Sequence, residues 1–241
     1  MQFAVAPEVF ALTPRPCFGV VVAKSVQAAA AGAERQAADL LREEALSFAA
    51  AHEGEDVREH PHIAVWREVF RAVGVNPSRY PSSVEALARR VQKRPELASI
   101  NPVVDLVNAL SLRYVLSMGA HDLDTLDGDI ELRPARPDDR FVPLGGGAPE
   151  RPDPGELVYA TGSAVRTRKW TWRQGEVAKV TRASRRLFFP IDAFEGVTDA
   201  AAVAARDDLA RSLERLFGAQ VEVAWVDSDH PSCETARAPR A

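Results

Sequence analysis

Between Arg166 and Arg186 the chain concentrates charge of one sign. Arg166, Arg168, Lys169, Arg173, Lys179, Arg182, Arg185 and Arg186 stand against a single acid, Glu176, a local charge of +7 in a chain of −4 overall. Trp170 and Trp172 lie among them. Cations spaced this way can meet phosphates while an indole stacks on an unpaired base, a contact worth about 1–3 kcal/mol per base. The plain alternative is a solvated sheet face, with at least one indole in the core. On an extended strand Trp170 and Trp172 share a face, as do Gln174 and Glu176. A second basic run, Arg89, Arg90, Lys93 and Arg94, forms neighbours on a helical surface and reads as an exposed face, with phosphate contact as the alternative.

Other polar groupings point less firmly to chemistry. His60-Pro61-His62, with His52 nearby, has no standard metal-ligand spacing, so no metal is expected. Asp122, Asp124, Asp127 and Asp129 surround Gly128 close to His121, but the glycine and distal glutamate of a calcium loop are misplaced, and turn chemistry before a strand accounts for them. Gly145–Gly147 precedes proline and charged residues rather than a helix, and reads as a connection between strands. The sequence carries no G-x-S-x-G elbow, no phosphate loop and no H-E-x-x-H helix. Cofactors are not expected.

Elements must position these groups. At 241 residues and 46% apolar composition the chain can bury a full core. Phe3–Val5, Val9–Leu12 and Phe18–Ala23 read as strands. Ala33–Ala51 carries apolar residues at helical spacing, Pro61 opens a helix ended by Gly74, and Ser82–Glu85 has a capping-box pattern. Asn101-Pro102 is a helix cap followed by proline at the first helical position. The period then changes: Ile130–Arg133, Phe141–Leu144, Leu157–Ala160, Val165–Trp172, Val177–Thr181 and Leu187–Ile191 read as strands. A helix over about 199–217 and a strand at Val221–Val226 follow. A helical first half and a strand-rich second half predict an α+β fold, one domain over residues 1–226, with an unstructured tail over 227–241. Cys17 and Cys233 read as reduced thiols. With no secretory signal pattern and no apolar run long enough for a membrane span, the expected location is the cytoplasm.

The order of several motifs is similar to a known family. Ser99–Asn108 (SINPVVDLVN) resembles the P-I-N-N-V-V-D-V-T-N helix start of the bacterial phenylalanyl-tRNA synthetase beta subunit. Gly119-Ala120-His121-Asp122 stands where that family has P-L-H-A-F-D, Gly128–Ala135 resembles its G-x-I-x-V-R-x-A strand, and Glu156–Ala160 its D-L-V-I-A-D. Gln174-Gly175-Glu176 followed by Val180-Thr181 resembles G-G-E-x-S-x-V-T. Together these resemble the B3/B4 domain, which in the synthetase hydrolyses wrongly charged tRNA. Trp66–Tyr80 and Arg168–Arg173 look more like the family's free-standing proteins.

The resemblance implies binding of a tRNA acceptor end and trans-editing hydrolysis of a misacylated aminoacyl-tRNA, an ester that needs no serine or cysteine nucleophile. The alternatives are a non-catalytic RNA- or protein-binding module, or an amino-acid-binding protein. Glu176 aligns with a glutamate that contacts the wrong amino acid. The synthetase's pocket histidine aligns with Gly119, and His121, two positions on, is placed to substitute. The implied catalytic set is Glu176, His121 and Asp122. Trp170, Trp172, Gln174 and Asn101 would bind substrate, and Arg166, Arg168, Lys169 and Arg173 would meet phosphates. No oligomeric state is implied, and a monomer is compatible with the reading.

Overall fold

Two sheets stack face to face, and helices cover the outer face of one of them. The structure, a computed structural model, describes residues 1–28 and 30–235. In chain order the elements are β1 (Gln2–Val5), α1 (Pro7–Phe10), β2 (Pro16–Lys24), α2 (Ala33–Ala51), α3 (Pro61–Ala72), α4 (Ser83–Lys93), α5 (Pro102–Tyr114), β3 (Ser117–Met118), β4 (His121–Asp122), β5 (Ile130–Pro134), β6 (Arg140–Phe141), β7 (Leu157–Thr161), β8 (Ala164–Arg168), β9 (Arg173–Gln174), β10 (Leu187–Phe194), α6 (Asp199–Phe217), β11 (Gln220–Val226) and β12 (Ser232–Glu234). One sheet runs β12-β1-β5-β7-β8-β6, with β9 beside β8. The other runs β11-β2-β10-β3, with β4 also on β10. The fold is a single α+β domain.

Side-chain alternation on β2 and β10 builds two cores from one sheet. Phe18, Val20 and Val22 of β2 join Phe188 and Phe194 of β10 between the sheets, with Phe3, Tyr159, Trp66 and Trp170. The opposite parity, Val21, Ala23, Phe189 and Ile191, packs beneath Leu106 and Leu110 of α5 and Leu209 and Leu213 of α6. Asp192 shares parity with Phe188 and Phe194, so β10 sends a carboxylate into the space between the sheets.

Caps set the helix starts. Ser82 Oγ accepts from Glu85 N at 3.4 Å, and Asn101 Oδ1 accepts from Val104 N at 3.0 Å. Buried Glu85 accepts both 2.8 and 2.9 Å bonds from Arg67, which pins the start of α4 against α3. That pin places Ser83 beside the site described below.

Besides Phe141–Leu144, of which only Phe141 lies in a strand, β6, the structure departs from the sequence expectations in four places. Pro7 at a helix N1 position turns Pro7–Phe10 into α1, so no strand runs over Val9–Leu12. The expected strand Val165–Trp172 stops at Arg168, because Lys169 and Trp170 take positive φ values of 45° and 62°. Val177–Thr181 is turn rather than strand, with Ala178 also at positive φ. The chain beyond Val226 is ordered as far as Thr235: β12 pairs with β1, matching Phe3 to Cys233. Residues 236–241 of the expected tail lie outside the described residues. Among the described residues no helix is long and apolar enough to cross a membrane.

Candidate functional site

Two adjoining hollows open where α4, α5, the β3–β4 segment and the β8–β9 turn converge. The inner one, about 120 Å³, is walled by Trp170, Trp172, Tyr159, His121, Thr171 and Asp192, with Ser83 of α4 at its edge. The outer one, about 350 Å³, is lined by Asn101, Val104, Asn108, Leu144, Lys179 and Val180 among others. Met118, Gly119 and Gln174 line both and mark the passage between them.

Gly119 lies on both linings in close approach to its neighbours. A Cβ there would lie 3.2 Å from Pro190 Cγ and 3.4 Å from His121 Nε2. The His121 ring therefore occupies space beside that into which a side chain from position 119 would project. Gln174 is oriented by Nε2 donating to the Ala120 carbonyl at 3.2 Å, which leaves Oε1 as an acceptor for a ligand. Gly175 follows under tight constraint. Its N–H donates to Arg166 O at 2.6 Å, and a Cβ would fall 2.7 Å from Val142 O, so only glycine fits.

The inner wall is electrostatically unusual. His121 is 3% exposed, and burial together with the charge of Arg166 pushes its pKa down to about 3, so the imidazole is neutral at pH 7. Among the described residues its Nδ1 has no hydrogen-bond partner. Asp192, 2% exposed, accepts the Tyr159 hydroxyl at 2.7 Å and the Trp170 indole N–H at 2.9 Å, both on Oδ1. Burial pushes its carboxyl up to about 6 against the pull of those two donors and of its own backbone N–H. The sequence reading passed over Asp192. Its signal was a lone acid in the otherwise apolar run Leu187–Phe194.

The turn after β8 delivers the aromatic wall. Glu156, almost wholly buried, receives Arg168 through Nε and Nη2 at 3.0 and 2.8 Å, Lys169 Nζ at 3.0 Å, and the Lys169 N–H at 2.9 Å. This carboxylate holds Lys169 and Trp170 in the left-handed region, a conformation that costs of order 1–3 kcal/mol per residue and persists only where surroundings enforce it. Trp170 is thereby buried against Trp66 and Phe194 while presenting an edge to the hollow. Trp172 stays half-buried, against Tyr80 and flanked by Arg168 and Arg173. The two indoles do not share a strand face.

Of the expected catalytic set, only His121 lines the hollows. Asp122 is buried, with Ser184 Oγ donating to Oδ2 and Asp124 N to Oδ1, and it serves the turn. Glu176 lies outside both linings, paired with Lys179 and accepting the Gly145 N–H at 2.9 Å. Since Lys179 and Leu144 line the outer hollow, Glu176 borders its rim. Of the expected substrate-binding set, Trp170, Trp172 and Gln174 line the inner hollow. Asn101 lines the outer one, with its amide committed to the α5 cap and to Val180 O at 3.3 Å.

The cationic strip is paired in large part with acids of the same chain, while Arg182, Arg185 and Arg186 stay exposed. Arg168 and Lys169 pair with Glu150, Asp153 and Glu156, Arg182 with Glu34, and Arg186 with Asp124. Arg173, half-buried, makes one long contact to Glu150. Arg166 is fully buried, none of its guanidinium nitrogens has a hydrogen-bond partner among the described residues, and burial pushes its pKa down to about 9. Further exposed cations, Arg90 and Lys93, lie on α4, where with half-buried Arg89, itself paired with Glu85, they line two shallow depressions. His52, His60 and His62 stack edge to face, each Nδ1 engaged, and among the described residues no cluster suited to a metal forms.

The sequence model of the B3/4 domain family matches residues 65–220, a span that includes every residue of the two hollows. The chain belongs to the B3/4 domain family. One similar solved structure is an N-terminal fragment of the phenylalanyl-tRNA synthetase beta-subunit from Pyrococcus horikoshii, at 9% identity and a TM-score of 0.49. The match covers 91% of this B3/4 domain chain and 49% of the fragment, so the chain spans about half the fragment's length. No curated protein matches the chain.

Proposed function

We propose that the double hollow takes the aminoacylated terminal adenosine of a tRNA, and that the protein hydrolyses the ester joining amino acid to ribose. The observation that carries this reading is the division of the cleft in a B3/4 family member. An inner hollow of about 120 Å³ has the scale of an amino-acid side chain, and an outer one of about 350 Å³ has room for a ribose and base. Gln174 and Gly119 stand where the ester would lie.

The chemistry asked of the protein is modest. A water held by Gln174 Oε1 adds to the ester carbonyl, the bond to the ribose oxygen breaks, and that oxygen leaves with a proton drawn from the water. The neighbouring ribose hydroxyl can relay it. Free amino acid and intact tRNA result. Neutral His121 is a hydrogen-bonding partner in this scheme, not a strong base, so rate enhancement comes chiefly from positioning. Glu176 and Lys179 at the rim meet the ribose or its phosphate. The exposed cations of α4 extend from Ser83 at the inner hollow and follow the RNA backbone.

The test is deacylation of a panel of mischarged tRNAs at micromolar protein. Turnover is expected for at least one, with a loss on the order of 10- to 100-fold in Gln174→Ala. No deacylation above buffer across the panel would overturn the hydrolase reading. Salt-sensitive binding without turnover would leave an RNA-binding module.

A further inference from the structure

We propose that the inner hollow is a binding site for a primary ammonium group, with the Asp192 carboxylate as its counter-ion. The inference shares the cleft with the reading above but depends on neither RNA nor hydrolysis.

Asp192 is a charged side chain on the wall of a cavity, it is 98% removed from solvent, and among the described residues it has no ion-pair partner. Its two neighbouring donors, Tyr159 and Trp170, are neutral and both fall on Oδ1, which leaves Oδ2 without a bond from another residue. A neutral amide oxygen would accept the same two bonds without the desolvation cost of a buried charge. A carboxylate at this position is accounted for by a cation that arrives from outside.

The rest of the wall suits such a cation. Tyr159, Trp170 and Trp172 line the hollow, and the face of an aromatic ring attracts an ammonium group. An ammonium brings three N–H donors. Beside Asp192, the hollow is lined by Thr171, 8% exposed with its hydroxyl unpartnered, and by His121, 3% exposed with Nδ1 unpartnered.

From β7 comes Tyr159, whose phenol burial holds in the neutral form. From β4 comes His121, neutral at pH 7, and behind it Arg166 of β8, the opposing positive charge, which acts on His121. The register neighbours on β2 and β3, Phe18 and Ser117, carry no charge. With its carboxyl near pH 6, Asp192 is ionised at pH 7.5 and largely protonated at pH 5.

A primary ammonium can be an α-amino group or a side-chain amine, and calorimetric titration of the full chain distinguishes them. The probes are norleucinamide (α-ammonium alone), Nα-acetyl-lysine methylamide (side-chain ammonium alone) and N-acetyl-norleucinamide (neither). At least one ammonium-bearing probe is expected to bind on the order of ten-fold tighter than the acetylated control at pH 7.5. The preference should vanish at pH 5 and in Asp192→Asn, and weaken in Thr171→Val. Equal binding of all three probes, binding by neither ammonium probe at millimolar concentration, or a preference that survives in Asp192→Asn would each overturn it. The two readings fail separately. Deacylation by a protein that ignores the ammonium sinks this inference alone, and ammonium preference without deacylation sinks the hydrolase reading alone.

Discussion

The Tyr159 hydroxyl stands 2.7 Å from Asp192 Oδ1, and the Trp170 indole N–H approaches the same oxygen at 2.9 Å, so two elements of one sheet and its following turn converge on a single carboxylate of the other. If that carboxylate served only to tether them, its charge would be a needless cost. Asp192→Asn separates the cases. The folded carboxyl titrates near 6 and the unfolded one near 3.8, so the folded state binds the extra proton between these values. Wild-type stability therefore falls as pH rises through this window, by about 3 kcal/mol in all. Urea denaturation of the ligand-free protein at pH 7.5 should find Asp192→Asn more stable than wild type by up to that amount, with the difference gone by pH 4. Destabilisation at pH 7.5 would make the carboxylate a structural tether.

His121 titrates in the opposite sense. Its folded pKa lies near 3 and its unfolded value near 6.5, so the unfolded state binds the proton first as pH falls. Stability present above pH 6.5 is lost progressively toward pH 3, by about 2 kcal/mol at pH 5. His121→Gln should be flatter over this range by that amount in paired denaturation curves. A variant that tracks the wild type in acid would place the imidazole in water.

Arg166 makes a third case. Its guanidinium is fully buried with no hydrogen-bond partner among the described residues, so removing its charge should relieve a penalty rather than break an interaction. Arg166→Met keeps most of the volume and should raise the urea midpoint, by roughly 1–3 kcal/mol in stability at unchanged m-value. It should also let the His121 pKa rise, because Arg166 is one of the two causes that depress it. NMR titration of the imidazole reads that second effect directly. A lowered midpoint would mean that the guanidinium has a partner in solution.

Local chemistry was legible in the sequence and long-range pairing was not. Asn101-Pro102 and Ser82–Glu85 specify helix starts through side chains within three residues, and the structure places α5 and α4 there. The alternating strand β5 and the apolar run of β7 are equally local in origin. The strip from Arg166 to Arg186 reads as +7 only because its counter-charges are distant: Glu150, Asp153 and Glu156 lie 12–18 residues before Arg168 and Lys169, and Glu34 lies 148 residues from Arg182. The left-handed pair Lys169-Trp170 has no glycine to announce it, because Glu156 enforces it through space. Asp192 was hidden by its neighbours, since eight buried residues in succession read as packing and not as a site.

The last prediction concerns the path of an RNA backbone. With the Arg166–Arg186 strip largely paired internally, the cations free to meet phosphates include Arg90 and Lys93, exposed on α4. That helix begins at Ser83 on the inner hollow, and at 1.5 Å per residue Arg90 lies about 10 Å and Lys93 about 15 Å along its axis. Both distances suit phosphates of the nucleotides just upstream of a terminal adenosine seated in the cleft. Replacing both by glutamine should weaken tRNA binding and reduce the slope of log affinity against log salt by about 0.7–0.9 per cation. Stability should change by less than about 0.5 kcal/mol, because neither side chain is buried. Binding of the small ammonium probes should not change at all, since they touch only the inner hollow. A salt slope equal to wild type would move the RNA off α4 and leave Arg173, at the other side of the Trp172 indole, as the cation to vary next.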